Sequence, residues 1–232
     1  MQRAFRPLVS LSINHRVEET IDVAVTIVGR GPAIAEELRR RIVLNELAPG
    51  TVLTELAVAA ELGRSQGAIR EAFLRLEGEG LLIRAGHQGT MVTALEATEA
   101  AEMLALRRRI EGRAAASVVR RAGATDLAQL EKLLAEMEAA AVAGDLWRMI
   151  RADMAFHLGL FQLSGLHAMT AILARCALHT HRFKLWAPWH QRPLAETAAR
   201  HRPILDRLAA ADAAGLRREL ESHLDTIVEG KR

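Results

Sequence analysis

The sequence predicts a mainly α-helical protein built from an N-terminal winged helix-turn-helix and a C-terminal all-α bundle of six helices. Two observations lead to this fold class. Between residues 30 and 94, short helical patterns joined by a glycine turn are followed by two short strand patterns. From about residue 95 the pattern changes to long, alanine-rich amphipathic helices. We therefore expect domains at 30–94 and 95–232, preceded by an extension at 1–29 to which we assign no role.

Length and composition limit the kind of protein that this chain can be. The chain has 232 residues, enough for two modest domains, and its apolar fraction of 50% is ordinary for a globular protein. The single cysteine, Cys176, excludes an internal disulfide and fits a reducing compartment. No apolar run approaches the roughly 20 residues that span a bilayer, and residues 1–16 lack the apolar core of a secretory signal. We expect a cytoplasmic protein without a membrane partner.

The N-terminal part contains three helical patterns, and the last two stand in the order that a helix-turn-helix needs. Pro32 suits a first helical turn, and apolar residues recur every four positions from Ile34 to Ile42. Thr54 and Ser65 are typical N-caps for the two short helices that follow. After them, "LLIRAGHQGTMVT" predicts two short strands around a glycine turn. A β-hairpin directly after a helix-turn-helix is the wing of a winged helix.

Polar residues at the start of the second helix could read base edges, since arginine pairs with guanine and glutamine with adenine. Although the pI is about 9.7, the formal net charge is only +3, so contact with double-stranded DNA must come from local clustering. The alternative is a solvated face on a protein-interaction module. The candidate DNA contacts on the helices and the wing are Arg39, Arg40, Arg64, Ser65, Gln66, Arg70, Arg75, Arg84 and His87.

These residues lie in a stretch with a strong family resemblance. "ELRRRIVLNELAPGTVLTELAVAAELGRSQGAIREAFLRLEGEGLLIRAGHQGTMV" resembles the winged-helix domain of the GntR family of bacterial transcription regulators. That family usually reads "VSRTPVREAL" where this chain has "RSQGAIREAF". Gln66 replaces a usual arginine and Arg64 stands at a usually apolar position, so the family's operator sequences are not carried over.

The second part shows six helical patterns, with glycines at or near several breaks. Within the fifth pattern, Pro203 removes a backbone donor and predicts a kink. The predicted helices cover 97–121, 125–143, 145–164, 167–185, 194–211 and 212–229.

One carboxylate and three imidazoles in this part suggest a metal site. Asp153 and His157 are four residues apart, so a helix places them on one face. His201 and His223 would have to come from two other segments. The alternative is that each histidine is an ordinary packed or surface residue, which is the more common case for a single histidine on an alanine-rich helix.

A second resemblance favours the metal site. "DMAFH" and "RHRPILDRLAAADAAGLRRELESHL" resemble the metal-binding FCD effector domain of the FadR subfamily of GntR regulators, and the six helices resemble its VanR-like branch. The resemblance implies that Asp153, His157, His201 and His223 bind a divalent ion. Three imidazoles and one carboxylate suit zinc, nickel or a similar ion, with coordination positions left for a small carboxylate effector.

The resemblance also implies an effector anchor and a homodimer. "LALRRRIEG" at 104–112 is similar to the FCD segment whose first arginine faces the ligand cavity, which makes Arg107 the first candidate and Arg175 a second. Arginine binds carboxylates in a bidentate way. At most one or two of the consecutive arginines 107–109 can face inward, and all of them could instead be solvated.

The function hypothesis is a DNA-binding transcription regulator, a repressor, that senses a small organic acid at the metal. The rival from another class is a metal-dependent enzyme, since open coordination could activate water. No convincing general base accompanies the ligands, and an enzyme would leave the winged helix unexplained, so we expect no enzyme. A third possibility keeps DNA binding but makes the metal itself the signal, or only structural.

Overall fold

The computed structural model describes residues 33–86, 89–186 and 192–226. The extension predicted at 1–29 and the wing residue His87 lie outside this part of the chain. The N-terminal elements are α1 (Ala33–Val43), β1 (Val52–Leu53), α2 (Glu55–Leu62), α3 (Gln66–Gly78), β2 (Leu82–Arg84) and β3 (Thr90–Val92).

The predicted winged helix-turn-helix is confirmed. The side chains of Thr54 and Ser65 accept hydrogen bonds from backbone N–H groups and cap α2 and α3. Gly63, between these helices, has a φ of 61°, the left-handed conformation that ends α2 and turns the chain. Strands β2 and β3 form the antiparallel wing, and β1 completes a sheet of order β1-β3-β2. The core under α3 is made by Leu38, Ile42, Ile69, Phe73 and Leu76.

The C-terminal elements are all helices, as predicted. They are α4 (Ala97–Arg121), α5 (Ala124–Ala143), α6 (Leu146–Gln162), α7 (Thr170–Trp186), α8 (Leu194–Ala199), α9 (Arg202–Ala209) and α10 (Ala213–Asp225). Helix α6 packs against α5 and α7, while α4 packs against α7 and α10. This arrangement brings one face each of α4, α6, α7 and α10 toward a common interior.

The predicted fifth helix is two helices, because the chain breaks at Arg200 and His201. Pro203 lies in the first turn of α9, where its missing N–H costs nothing, whereas inside one continuous helix it would remove a hydrogen bond. His201 becomes the N-cap residue of α9 and is fully buried. The break between the two helices therefore positions His201, one of the predicted metal ligands, in the interior of the bundle.

The two parts of the molecule touch along α7. Helix α1 packs against α7, and Thr93, just after β3, lies within hydrogen-bond distance of an α7 side chain. Among the described residues, no helix combines the length and apolar character that crossing a bilayer requires.

Candidate functional site

The four predicted metal ligands converge in the bundle interior. Helix α6 contributes Asp153 and His157 from successive turns, the junction before α9 contributes His201, and α10 contributes His223. One potential ligand atom from each lies within 4.8 Å of every other, and all four side chains are buried. Local sequence spacing explains only the first pair; tertiary packing brings in the other two.

The distances between these atoms fit a shared cation. Nε2 of His157 lies 3.3 Å from Nε2 of His223, and Nε2 of His201 lies 3.1 Å from Oδ1 of Asp153. Zinc–ligand bonds of about 2.0–2.2 Å put neighbouring ligand atoms about 3–3.5 Å apart. Apart from this 3.1 Å approach to Asp153, Nε2 of His201 has no hydrogen-bond partner among the described residues, and the buried Nδ1 of His223 has none. A divalent ion fits the first of these atoms directly, since Nε2 of His201 faces the cluster.

Outer hydrogen bonds fix the orientation of two ligands. Nδ1 of His157 donates to Oε2 of Glu111 at 2.6 Å, which directs its Nε2 lone pair to the cluster. Nδ1 of His201 lies 3.1 Å from the carbonyl oxygen of Thr197 and donates in the same way. His157 therefore presents an unprotonated Nε2 to the cluster, the form that binds metals.

Burial and neighbouring groups shift the pKa values of three of the ligands, Asp153, His157 and His223. Burial lowers the pKa of His157 and, together with the adjacent imidazoles, holds the pKa of His223 well below its usual value. Burial alone would raise the pKa of Asp153, but His181 and His201 hold it well below its ordinary range. The result is an ionised carboxylate beside two imidazoles, those of His157 and His223, for which burial favours the neutral form.

Arg107 is the arginine of the 107–109 run that faces inward. It is 0% exposed, and its Nε donates to Oε1 of Glu111 at 2.6 Å, while Arg108 and Arg109 are exposed. Neither Nη1 nor Nη2 of Arg107 has a hydrogen-bond partner in the described residues. A guanidinium buried with both terminal nitrogens unused is suited to an anionic ligand.

A cavity of about 220 Å³ opens beside the cluster at Asp153. Three further groups on its wall are cationic or can donate hydrogen bonds: His181, Lys184 and Arg192. Nε2 of His181 donates to Oδ2 of Asp153 at 2.8 Å, and burial lowers the pKa of Lys184 to about 8. The chemistry of this wall favours a small anion.

Arg175, the second predicted effector residue, is placed elsewhere. It is exposed on α7 and packs against Gly80, at a separate cavity of about 160 Å³ between the winged helix and the bundle. Its guanidinium therefore lies at the contact between the two parts and not beside the metal cluster.

The base-reading candidates are on the free surface. At the start of α3, and further along it, the exposed residues are Arg64, Ser65, Gln66, Arg70 and Arg75. Arg70 is held by Glu55 of α2, with Nε–Oε1 and Nη2–Oε2 distances of 2.9 and 2.7 Å. On the wing, Arg84 is exposed beside Glu77. DNA contact by these residues remains a prediction.

The two α1 candidates differ. Arg40 is partly exposed and pairs with Glu37 and Glu46. Arg39 is only 3% exposed, and its Nε and Nη2 donate to both oxygens of Glu79 at 2.7 and 2.6 Å. The structure thus places Arg39 inside the protein, where it ties α1 to the end of α3, and its position gives no access to a phosphate.

Sequence reasoning missed the residues that support the ligands. Glu111 follows Arg107 by four positions, which was a readable signal for a helical ion pair. His181, Lys184 and Arg192 gave no local signal, because they reach the site through the packing of α7 and of the segment before α8.

Comparisons with known proteins agree with this architecture. Residues 31–92 match the model for bacterial regulatory proteins of the gntR family, and residues 102–226 match that for the FCD domain. The Nta operon transcriptional regulator of Aminobacter aminovorans is 30% identical over 187 residues, 78% of this chain and 86% of the relative. The HTH-type transcriptional repressor RspR of Escherichia coli K12 is 27% identical over 198 residues, 84% and 86% of the two chains.

A solved structure confirms the fold. Escherichia coli McbR/YncC superposes with a TM-score of 0.70 at 24% identity, over 83% of this chain and 92% of that one. The matching families and relatives are transcription regulators and not enzymes. The chain accordingly belongs to the GntR family of bacterial DNA-binding transcription regulators, in the group that carries an FCD domain.

Proposed function

We propose that this protein is a metal-dependent repressor that releases its operator when a small organic acid binds beside the metal. One observation carries the proposal: the buried cluster of Asp153, His157, His201 and His223 adjoins a cavity whose wall is cationic. The name of the relative RspR, a transcriptional repressor, supports the direction of regulation.

The acid would be held by the ion and by cationic side chains. Four protein ligands leave positions for two further oxygen atoms if the ion is octahedral, as nickel and similar late first-row ions allow. Lys184 and Arg192 line the cavity, and the unused Nη1 and Nη2 atoms of Arg107 are the further donors that we assign to the acid. A monocarboxylate or dicarboxylate with a hydroxyl group would match this set of metal positions and donors.

We assign the DNA-binding state to a homodimer that acts in the cytoplasm. Two copies of α3 would enter the major groove at half-sites one helical turn, or a multiple of it, apart. The acid can release DNA only if it binds the DNA-incompetent arrangement of the two winged helices more tightly than the competent one.

Thermal unfolding tests the acid and the metal together. Metal-loaded and chelator-stripped protein is heated with sugar acids, dicarboxylates, hydroxy acids and aromatic acids. An acid at 100 times its dissociation constant adds about 2.7 kcal/mol to the free energy of unfolding. We expect one class of acid to raise the midpoint of the loaded protein and to have no effect after stripping.

Neighbouring arginines provide a matched control for the anchor. Arg107→Met removes the buried guanidinium, whereas Arg109→Met removes an exposed one two residues away. The acid-induced shift should disappear in the first variant and persist in the second. If zinc or nickel raises the midpoint but no acid does so, the ion is structural or is itself the signal, and the acid-sensing proposal is wrong.

A further inference from the structure

Helix α7 presents different faces to the metal cluster and to the winged helix. His181 points to α6, where it donates to Asp153. Two neighbours on α7 point to the N-terminal part: Nε2 of His179 donates to the carbonyl oxygen of Glu79 at 2.9 Å, and Arg182 donates to Thr93. Successive helical residues are separated by about 100°, so one rigid helix can serve both sides.

The contact between Arg182 and Thr93 has unusual chemistry for a buried cation. Arg182 is 0% exposed, and Nη1 donates to Oγ1 of Thr93 at 2.9 Å while Nη2 donates to the Thr93 carbonyl oxygen. Its guanidinium carbon lies 4.1 Å from the ring centre of Trp186, a cation–π contact. No carboxylate among the described residues pairs with Arg182, and burial lowers its pKa to about 10. The charge is held by neutral acceptors alone.

A cavity lies where the end of α3 meets α7. The cavity of about 160 Å³ that Arg175 borders is also lined by Arg39, Glu79 and Leu178, so the two parts are not densely packed there. Interfaces between domains that are polar and incompletely filled permit relative motion. Loss of the Arg182 hydrogen bonds would therefore free the winged helix to shift against α7 at this cavity.

We propose that Arg182 is a positioning residue that holds the winged helix in one orientation through Thr93, and that His181 links this latch to the metal cluster. The second half of the proposal rests on the proposed function of that cluster. A ligand that displaces His181 from Asp153 would move α7 and, with it, the side chain that holds Thr93. This latch, the Arg182–Thr93 contact, transmits the state of the site to the DNA-binding part.

Pulsed electron paramagnetic resonance tests the latch in the full-length protein. Spin labels are attached at Ala60→Cys on α2 and Val142→Cys on α5, both exposed positions, in a Cys176→Ala background. Dilution with unlabelled protein isolates the distance within one chain. Arg182→Met should shift or broaden the distance distribution, and Arg182→Lys, which keeps one charged donor for Thr93, should lie closer to the parent distribution.

Two controls separate positioning from loss of stability. Leu134→Ala empties a fully buried position on α5 and should lower the unfolding midpoint with an unchanged distance distribution. Arg217→Met removes an exposed arginine on α10 and should change neither quantity. An unchanged distribution in Arg182→Met would overturn the latch, as would a change of the same size in Leu134→Ala.

A separate variant, His181→Leu, tests the proposed link between Arg182 and the metal cluster. His181→Leu alters a contact inside the bundle, yet it should change the interdomain distribution as Arg182→Met does. If only Arg182→Met changes it, the latch stands and the link through His181 is wrong. Zinc titration of the same proteins tests the proposed function separately. If no zinc binds, the metal site is rejected, but the measured distances still decide whether Arg182 positions the winged helix.

Discussion

Glu111 fixes the tautomer and the ring orientation of His157, and so directs Nε2 of His157 toward the metal site. Its Oε2 accepts the Nδ1 proton of His157, and its Oε1 accepts from Arg107. Replacing such an outer carboxylate costs about 10–100-fold in metal affinity. We expect Glu111→Gln to weaken zinc binding at least about 10-fold. The affinity is measured by competition with a chelating indicator. Glu136→Gln, which changes a surface carboxylate paired with Arg148, should bind zinc as the parent does; equal affinities for both variants would contradict the role of Glu111.

Arg39 has a structural role in this fold. Its guanidinium is buried between Glu36 and Glu79, and removing one partner of a buried pair is destabilising by on the order of 3 kcal/mol. Arg39→Met should lower the free energy of unfolding by about this amount in a denaturant titration, while Arg40→Met, on the same helix but partly exposed, should lower it by less than about 1 kcal/mol. Equal losses would contradict the buried role.

Residue-level prediction from sequence succeeded where spacing within one helix carried the information. The four-residue spacing placed Asp153 and His157 together, and resemblance supplied His201 and His223, which the structure brings to the same point. Burial of Arg39 was not predictable, because its partner Glu79 is 40 positions away. A run of arginines on a helix shows charge, but it does not show which member faces the interior.

At the scale of elements, Ser65 has two separable effects on α3. Its hydroxyl accepts from the backbone N–H of Ala68 at 3.2 Å and caps the helix that we expect to enter DNA. Ser65→Ala should cost about 1 kcal/mol of unfolding free energy. Ser65→Asp keeps a capping oxygen and favours the positive N-terminus of the helix, so stability should be kept, but its charge should repel phosphates and weaken DNA binding.

The two Ser65 variants are compared by denaturant unfolding and by DNA titration at one salt concentration. If Ser65→Asp binds operator DNA as tightly as the parent does, the start of α3 does not face the phosphates. If Ser65→Ala unfolds like the parent, the cap contributes nothing to stability.

Element boundaries were predictable where the chain carries caps, glycines or proline. The bounds of α4 and α5 agree with the predicted patterns within one residue. The segment 194–211 followed one helical pattern, but Pro203 divides it into α8 and α9, and the resulting junction holds His201. Apolar periodicity is the same on both sides of such a break, so only the proline predicts it.

At the scale of the molecule, the sequence predicts the two folds but not their contact. The contact depends on Thr93, Glu79 and α7 side chains that are about 100 positions apart in the chain. Each residue is unremarkable in its own segment: a threonine after a strand, or an arginine on a helix. Tertiary packing alone turns them into the polar contact between the winged helix and the bundle.

Salt dependence of DNA binding tests the assembly as a whole. If a homodimer binds two half-sites, each of the two wings carries one exposed Arg84 that neutralises one phosphate. Removal of Z such contacts reduces the slope of log affinity against log salt concentration by about 0.9Z. Arg84→Ala should therefore reduce the slope by about 1.8, since one substitution removes two contacts in the dimer.

Arg217→Ala, on α10 and away from the winged helix, should leave the slope of the parent unchanged. A reduction near 0.9 with Arg84→Ala would mean that a single wing contacts DNA, which fits a monomer or an asymmetric complex. No reduction would mean that the wing does not reach the phosphates. The size of the change thus measures how many wings engage the operator, independently of the metal and the acid.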